Sequence, residues 1–203
     1  FDVIAVSETW LKNNLKPLLC MATIYHLFHV IYLREVEASR FFVKENIVFQ
    51  VLSPATISDD VIEKLFIKLD CGVIVGVVYR PPSSLVSSFL VKFEAVLTAL
   101  SNGQNDRMVV VGDFNIDLTG DTINSYTLLL ESFNLRNFIT EPTRITSTSS
   151  TLIDHALCNT HTDAQAGVYP SLIADHLAIF LVLQTEIIHK RKSCRPEQRT
   201  KID

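Results

Sequence analysis

Polar side chains capable of chemistry follow apolar runs at several points of this 203-residue sequence, and Met108–Asn115 is the clearest case. Four apolar residues, three of them β-branched, predict a buried strand that ends at Gly112. Side chains alternate along an extended chain, so Asp113 and Asn115 should point to the same side. A carboxylate and an amide delivered together by a buried strand favour a binding or catalytic site. The alternative is a strand followed by an Asx turn, since Gly, Asp and Asn all favour turns.

The same layout, an apolar run with a polar group at one end, recurs along the chain. The groups are Glu8 after Phe1–Val6, Tyr79 and Arg80 at the end of Cys71–Tyr79, Asp154 within Thr151–Leu157, and Asp175 with His176 before Leu177–Leu183. Each has a simpler interpretation, because a lone Glu is usually solvated, a Tyr or Arg at a strand end can be packing or solvated, and a lone His is more often structural. The ordered series of acids at successive strand ends favours a site.

Together these groups fit the hydrolysis of a phosphate ester. Neighbouring carboxylates repel unless a cation or a proton intervenes, and oxygen ligands favour Mg²⁺ or Mn²⁺ over zinc. A His next to an Asp suggests a general base, and a phenol with a guanidinium suits a phosphate. A divalent cation, a base and amide donors fit hydrolysis by activated water. Acyl transfer and P-loop chemistry are disfavoured, because the sequence contains neither G-x-S-x-G nor a P-loop.

Strands and helices must position these groups. The expected strands are Phe1–Val6, Phe42–Leu52, Glu63–Leu69, Cys71–Tyr79, Met108–Val111, Thr151–Leu157 and Leu177–Leu183. One helix is expected from a cap at Ser83 or Ser84 to about Leu100. A second is expected from Asp121 or Thr122, with an apolar face of Ile123, Tyr126, Leu129, Leu130 and Phe133. The candidate site groups therefore belong to strand ends and the turns beside them.

Composition indicates a folded domain that does not bind nucleic acid through bulk positive charge. Hydrophobic residues make up 48% of the chain, the mean hydropathy is +0.27 and the net charge is −4. The four cysteines lack metal-ligand spacing and are expected to be free thiols in a reducing compartment. The most apolar run, Pro17–Leu33, is expected to be a buried segment rather than a membrane helix. One domain is expected at 1–184, followed by a basic, polar tail or linker at 185–203.

Six short motifs in order carry a resemblance to a known family. They are S-E-T-W-L at Ser7–Leu11, G-V-V-Y-R-P-P at Gly76–Pro82, V-V-G-D-F-N at Val110–Asn115, E-P-T-R at Glu141–Arg144, T-L-I-D-H at Thr151–His155 and A-D-H at Ala174–His176. The chain resembles the endonuclease/exonuclease/phosphatase superfamily, and within it most of all the endonuclease domain of LINE-type (non-LTR) retrotransposons. The resemblance implies a DNase I-like, four-layer α/β sandwich, with two packed, mostly antiparallel sheets flanked by helices.

The resemblance also implies a role for each candidate residue. By this likeness the metal would be served by Glu8, Asp154 and Asp175. Tyr79 would contact the scissile phosphate, Asp113 would orient or deprotonate the attacking water, and Asn115 would hold phosphate and water. Asp175 would orient His176, His176 would act on the phosphate or as the base, and the substrate would be bound by Arg80, Thr143 and Arg144. The cofactor would be Mg²⁺ or Mn²⁺ and the substrate DNA. The implied product is a nick with a 3′ hydroxyl for target-primed reverse transcription.

Further expectations concern the chain's context. The resemblance implies a monomer that acts in the nucleus, away from membranes, and that was once fused to a reverse transcriptase domain. The family begins with a strand that carries a metal-site Asn, and the present sequence is expected to start after that strand. Ala174 stands where the family usually has Ser. No Gly-rich stretch precedes Phe42, and two compensating frameshifts across His29–Phe41 would explain its absence.

Two alternative functions remain open at this point. One is a catalytically inactive retrotransposon remnant, which would bind nucleic acid at most. The other is a phosphomonoesterase on the same fold.

Overall fold

The computed structural model describes residues 2–6, 28–31, 39–52, 59–101, 107–120, 123–159, 164–170 and 175–184. The strands are β1 (Val3–Val6), β2 (Phe28–Ile31), β3 (Arg40–Lys44), β4 (Phe49–Val51), β5 (Glu63–Leu69), β6 (Ile74–Tyr79), β7 (Met108–Asp113), β8 (Arg136–Asn137), β9 (Arg144–Ile145), β10 (Ser150–Thr151), β11 (Asp154–Cys158), β12 (Ala164–Tyr169) and β13 (Ala178–Leu183). The helices are α1 (Val86–Ser101) and α2 (Ser125–Ser132).

A six-stranded sheet in the order β4-β5-β6-β7-β11-β8 forms the centre of the fold. Its strands pair antiparallel except β6 with β7, which run parallel. A parallel pair needs a crossover connection, and α1 supplies it. The strand expected at Glu63–Leu69 is observed. The strand expected at Cys71–Tyr79 is also observed, but it starts at Ile74, after a turn at Gly72.

The helices cover one face of this sheet and form the helix-side core. α1 buries the helically spaced Phe89, Phe93, Val96 and Leu97, as its sequence pattern predicts. α2 begins at Ser125 rather than at Asp121 or Thr122, because Asn124 caps it and forms a capping box with Thr127. Ile123, expected on the apolar face, therefore precedes the helix and is 84% exposed.

Further strands cover the opposite face of the sheet. β1, β3 and β2 form a three-stranded sheet, and Phe41 and Val43 of β3 pack against Leu65, Ile67 and Val77 of the central sheet. The hairpin of β12 and β13 packs against β7 and β11. The single strand expected at Phe42–Leu52 was wrong. A turn at Glu45 and Asn46 divides it into β3 and β4, which belong to different sheets.

One other strand prediction needed correction, and one observed strand was not predicted. Thr151–Leu157 was expected to be one strand, but Thr151 pairs with Arg144 in the small β9–β10 sheet, and β11 starts at Asp154. The β12 segment, A-Q-A-G-V-Y, was not predicted because its small residues give no clear apolar alternation.

Several expectations fall partly or wholly outside the described residues. Glu8, Ala174, the tail at 185–203 and two of the four cysteines lie outside them, while Cys71 and Cys158 are free thiols as expected. Of the apolar run Pro17–Leu33, only β2 is described. Neither described helix has the length and apolar character needed to cross a membrane.

Candidate active site

Two buried carboxylates lie side by side at one edge of the central sheet. Asp113 ends β7 and Asp154 begins β11, and the strand register places them directly opposite each other. Val109 and Val111 pack on the face away from the helices, and alternation gives Asp113 the same face. Asp113 is 3% exposed and Asp154 is 8% exposed. The two acids, 41 residues apart in sequence, therefore share one site.

Tyr79 ends the neighbouring strand β6 at the same edge. Val77 lies opposite Val111 in the parallel register, and continuing the register by two residues brings Tyr79 level with Asp113. Gly112 allows this close approach, because its φ is +145° and a Cβ there would meet the Val78 carbonyl oxygen at 1.9 Å. Tyr79 is 3% exposed. Its predicted contact with the scissile phosphate stays a prediction.

Asn115 holds the Asp113 carboxylate from two directions. Its backbone N–H donates to Asp113 Oδ1 at 2.8 Å, and its side-chain Nδ2 donates to Oδ2 at 3.1 Å. The backbone of Asn115 is left-handed, with φ +49°, a conformation that Asn tolerates better than most residues. The same Nδ2 donates to the Arg80 carbonyl at 2.9 Å. The expected Asx turn and the expected site thus coincide, since the turn orients the carboxylate.

His176 contacts the carboxylate of Asp154. His176 Nδ1 lies 2.9 Å from Asp154 Oδ2 and 3.2 Å from Oδ1. The hydrogen bond to Asp154 raises the pKa of His176 despite partial burial. The expected orienting role of Asp175 stays a prediction, and the hydrogen bond that the structure shows to His176 comes from Asp154.

Asp175 instead forms an exposed ion pair with Arg144. Arg144 Nε lies 2.8 Å from Asp175 Oδ2, and the two side chains are 44% and 53% exposed. The hydrogen bond from Arg144 lowers the pKa of Asp175. A backbone bridge between Arg144 and His176 brings this pair to the rim of the site. Substrate binding by Arg144 stays a prediction.

Thr143 and Arg80, both expected to bind substrate, are buried and bonded within the fold. The Thr143 hydroxyl accepts the backbone N–H groups of Ile153 at 3.2 Å and Asp154 at 3.0 Å. Arg80 is 5% exposed, and its guanidinium donates to backbone carbonyls on both sides of the strand end, including those of Phe114 and Asn115. These contacts position the strand ends that carry the acids.

His155 belongs to the site's support, and sequence reasoning assigned it no role. It is fully buried on the helix side, stacked on Phe114 at a centroid distance of 4.9 Å. Its Nδ1 lies 2.8 Å from the Tyr126 hydroxyl. Burial lowers the pKa of His155 to about 4, so the ring is neutral at pH 7. Its Nε2 lies 3.3 Å from the Leu152 carbonyl, which can only accept, so Nε2 carries the proton and Nδ1 accepts the Tyr126 O–H. Alternation along β11 could have indicated this, because His155 shares its face with the core residue Leu157.

A group of three side chains fits a divalent cation. One ligand atom each from Asp113, Asp154 and His176 lies within 4.8 Å of the others. Two buried carboxylates side by side are unfavourable without a cation or a proton, and carboxylate oxygens are ligands that Mg²⁺ and Mn²⁺ prefer. Asp175, expected as a ligand, is not a member of this group. Glu8, the other expected ligand, lies outside the described residues.

Comparisons with known proteins identify the family and the fold. The family model described as "Endonuclease/Exonuclease/phosphatase family" matches residues 1–176. No curated protein matches the chain in sequence. Among solved structures, an endonuclease/exonuclease/phosphatase family protein from Leptotrichia buccalis matches at 14% identity with a TM-score of 0.59, covering 92% of this chain and 88% of that chain.

Two further structures extend the comparison. A mannosyl-6-phosphatase from Bacteroides thetaiotaomicron matches at 15% identity with a TM-score of 0.56, covering 90% of this chain and 86% of that chain. D. rerio TDP2, complexed with a single-strand DNA product, matches at 9% identity with a TM-score of 0.58, covering 89% and 84%. At these identities the likeness concerns the fold, and it confirms the expected DNase I-like α/β sandwich. The chain belongs to the endonuclease/exonuclease/phosphatase family, whose members generally depend on a divalent metal.

Proposed function

We propose that this chain is a metal-dependent phosphodiesterase that nicks DNA. The observation that carries the proposal is the convergence of Asp113, Asp154 and His176 at one edge of the sheet, with ligand atoms within 4.8 Å. Membership of a family of nucleases and phosphatases supports the reaction class. A fold shared with a protein whose structure holds a single-strand DNA product supports the substrate class.

Asp113 is the group best placed to orient and deprotonate the attacking water. Its two oxygens already accept N–H groups of Asn115, so the carboxylate has a fixed direction before substrate binds. Asn115 thereby acts on the reaction through Asp113, in addition to any contact of its own with phosphate.

His176 is the group best placed to stabilise charge on the phosphate. Asp154 accepts the Nδ1 proton, and this leaves Nε2–H to donate to a phosphate oxygen. The raised pKa of His176 favours the imidazolium form, which forms stronger hydrogen bonds with an anion than the neutral ring does. Asp113 and Asp154 would hold the divalent cation beside His176, and the cation would polarise a phosphoryl oxygen and lower the pKa of water.

A plasmid-nicking assay with the full chain tests the proposal. Supercoiled plasmid should become open-circular with Mg²⁺ or Mn²⁺ and remain supercoiled in EDTA. Asp113→Ala and His176→Ala should each abolish nicking while retaining the fold. Asp70→Ala is the matched control, because Asp70 is an exposed acid in the turn at the opposite ends of β5 and β6. Absence of nicking by folded, metal-supplied protein would favour the inactive remnant.

A phosphomonoesterase is the second candidate, and the fold shared with the mannosyl-6-phosphatase supports it. The same carboxylates and imidazole would serve a monoester. Release of inorganic phosphate from a sugar phosphate, with plasmid left supercoiled, would establish this function instead.

We also propose the retrotransposon role, on the strength of the six motifs from Ser7–Leu11 to Ala174–His176. In that role the chain would act in the nucleus as the endonuclease domain of a protein with reverse transcriptase. The nick would carry a 3′ hydroxyl, so a DNA polymerase should extend the nicked plasmid without prior phosphatase treatment. Ends that require phosphatase treatment before extension would contradict this role.

A further inference from the structure

We propose that Arg80 is a positioning residue that fixes the Asp113–Asn115 turn from behind the active face, and that it does not bind substrate phosphate. This inference rests on the proposed function for its kinetic readout, whereas the Arg80 Nε–H signal and the exchange of the Asn115 amide are independent of activity. Arg80 follows β6 directly and is 5% exposed.

Four hydrogen bonds join Arg80 to the three residues Asp113–Asn115. The Arg80 N–H donates to the Asp113 carbonyl at 2.9 Å, and the Arg80 carbonyl accepts Asn115 Nδ2 at 2.9 Å. Its Nε donates to the Phe114 carbonyl at 2.7 Å, and Nη2 donates to the Asn115 carbonyl at 2.6 Å. Every residue of the turn is therefore tied to Arg80.

The third guanidinium nitrogen joins the turn to the start of the crossover helix. Nη1 donates to the Ser84 carbonyl at 2.6 Å, with longer contacts of 3.3 Å to the Pro81 carbonyl and to Ser84 Oγ. Ser84 lies two residues before α1. A planar guanidinium with donors in fixed directions suits this bridging, whereas an ammonium could not reach the same set of acceptors.

The guanidinium lies on the wrong side of the sheet to be a phosphate ligand. Val78 packs in the helix-side core, and alternation along the extended chain gives Arg80, two residues later, the same face. Asp113 and Asp154 face the opposite side, as the packing of Val111 and Ala156 shows. The guanidinium thus lies against the backbone carbonyls of the turn, and it attracts the Asp113 carboxylate from behind that turn.

The turn needs such support because its conformation is not the preferred one for an isolated chain. Asn115 has a φ of +49°, which costs free energy for a residue with a side chain. Two of the bonds that hold it there come from the Arg80 guanidinium and carbonyl. Without them, the Asn115 N–H would lose its fixed direction toward Asp113 Oδ1, and the carboxylate would lose its orientation.

The first test is the Arg80 Nε–H signal of the uniformly ¹⁵N-labelled wild-type chain in NMR. A positioning role predicts a signal protected from solvent exchange that does not shift when inorganic phosphate or a duplex oligonucleotide is added. A shift that saturates with phosphate would overturn the proposal. Because the wild-type chain is used, this test remains decisive if an Arg80 variant does not fold or the chain does not nick DNA.

The second test compares Arg80→Lys with Arg136→Lys, a matched change at an exposed Arg on edge strand β8. Arg80→Lys should lower kcat for nicking about 10- to 100-fold, as is typical for the loss of a group that orients a catalytic or ligating side chain. KM for DNA should stay unchanged, and the Asn115 amide should exchange faster with solvent. Arg136→Lys should change none of these quantities.

Two outcomes of the second test would overturn the proposal. A raised KM with unchanged kcat would mean that Arg80 binds substrate. A lowered unfolding temperature with unchanged kcat and unchanged Asn115 exchange would mean that it only stabilises the fold. Failure of the proposed function can be distinguished from failure of this inference. If the wild-type chain does not nick DNA, the Arg80 Nε–H and Asn115 amide signals still show whether Arg80 holds the turn.

Discussion

Two Asp-His dipeptides occur in the chain, Asp154-His155 and Asp175-His176, and the fold places their members in opposite environments. In the first, both residues are buried, with Asp154 8% exposed and His155 fully enclosed. In the second, Asp175 is on the surface and His176 is partly covered. Each acid binds a residue outside its own dipeptide, because Asp154 binds His176 and Asp175 binds Arg144.

The difference teaches that adjacency in sequence does not predict a catalytic pair when the residues lie in extended chain. Successive side chains of a strand point to opposite faces. Asp154 therefore faces the site while His155 enters the helix-side core, where it stacks on Phe114 and contacts the Tyr126 hydroxyl. The Asp-His pair that can work together is assembled across 22 residues.

The largest expected contrast lies in activity, between Asp154→Asn and Asp175→Asn. Asp154→Asn removes the carboxylate that orients His176 and favours its protonated form, so nicking should slow by roughly 10³- to 10⁴-fold, the cost typical of removing the carboxylate behind a catalytic histidine. Asp175→Asn removes only an exposed ion pair and should slow nicking by less than about tenfold. Initial rates on supercoiled plasmid measure both. Equal losses would show that the two acids share one role.

The positions of the buried strands β5, β6 and β7 and of the site acids could be predicted from sequence, because these strands are apolar runs and the acids lie at strand ends. Glu63–Leu69 is observed with the predicted bounds, and Asp113 and Asp154 meet at one edge. The partner of His176 could not be predicted from residues alone, since it depends on the register of strands far apart in sequence. The same limit applies to Arg80, whose carbonyl partners are set by the tertiary fold.

The histidines of the two dipeptides, His155 and His176, should also differ in how they make stability depend on pH. Burial lowers the pKa of His155 from 6.5 to about 4, so between these values the unfolded chain binds a proton that the folded chain does not. Stability should therefore fall as pH decreases through this window, by roughly 3 kcal/mol in total for this residue. His155→Phe, which keeps an aromatic ring against Phe114, should remove this component. Urea unfolding at several pH values between 4 and 7 measures it in both proteins.

His176 should act in the opposite direction and in a different window. Its pKa is raised, chiefly by the hydrogen bond to Asp154. The stabilisation from its protonated form is fully present below pH 6.5, and it is lost as pH rises through the folded-state pKa. His176→Gln should therefore alter the pH dependence of unfolding above 6.5 and leave the acid side unchanged. A common window for both histidines would contradict the distinction drawn between the two dipeptides.

A smaller effect is expected for Tyr126→Phe, which tests the buried dipeptide without changing a charge. The Tyr126 hydroxyl is 2.8 Å from His155 Nδ1, and both groups are fully buried. Removal of the hydroxyl leaves the imidazole acceptor without its donor, and such a loss costs about 1–3 kcal/mol. Because α2 carries Tyr126 and β11 carries His155, the change should appear as a lower free energy of unfolding, with activity retained in the protein that remains folded. Leu128→Ala, an exposed change on the same helix, is the control.

The smallest effect is expected for the exposed ion pair between Arg144 and Asp175. Both side chains are roughly half exposed, so water and dissolved ions screen the interaction, and the cost of ordering two mobile side chains offsets most of the attraction. In a double-mutant cycle with Arg144→Ala and Asp175→Ala, the coupling in unfolding free energy should be small at low salt and should vanish at high salt. The Asp154–His176 pair, with side chains 12% and 22% exposed, should keep its coupling under the same conditions. If salt removed both couplings equally, burial would not distinguish the pairs, and the assignment of the working Asp-His pair would have to rest on geometry alone.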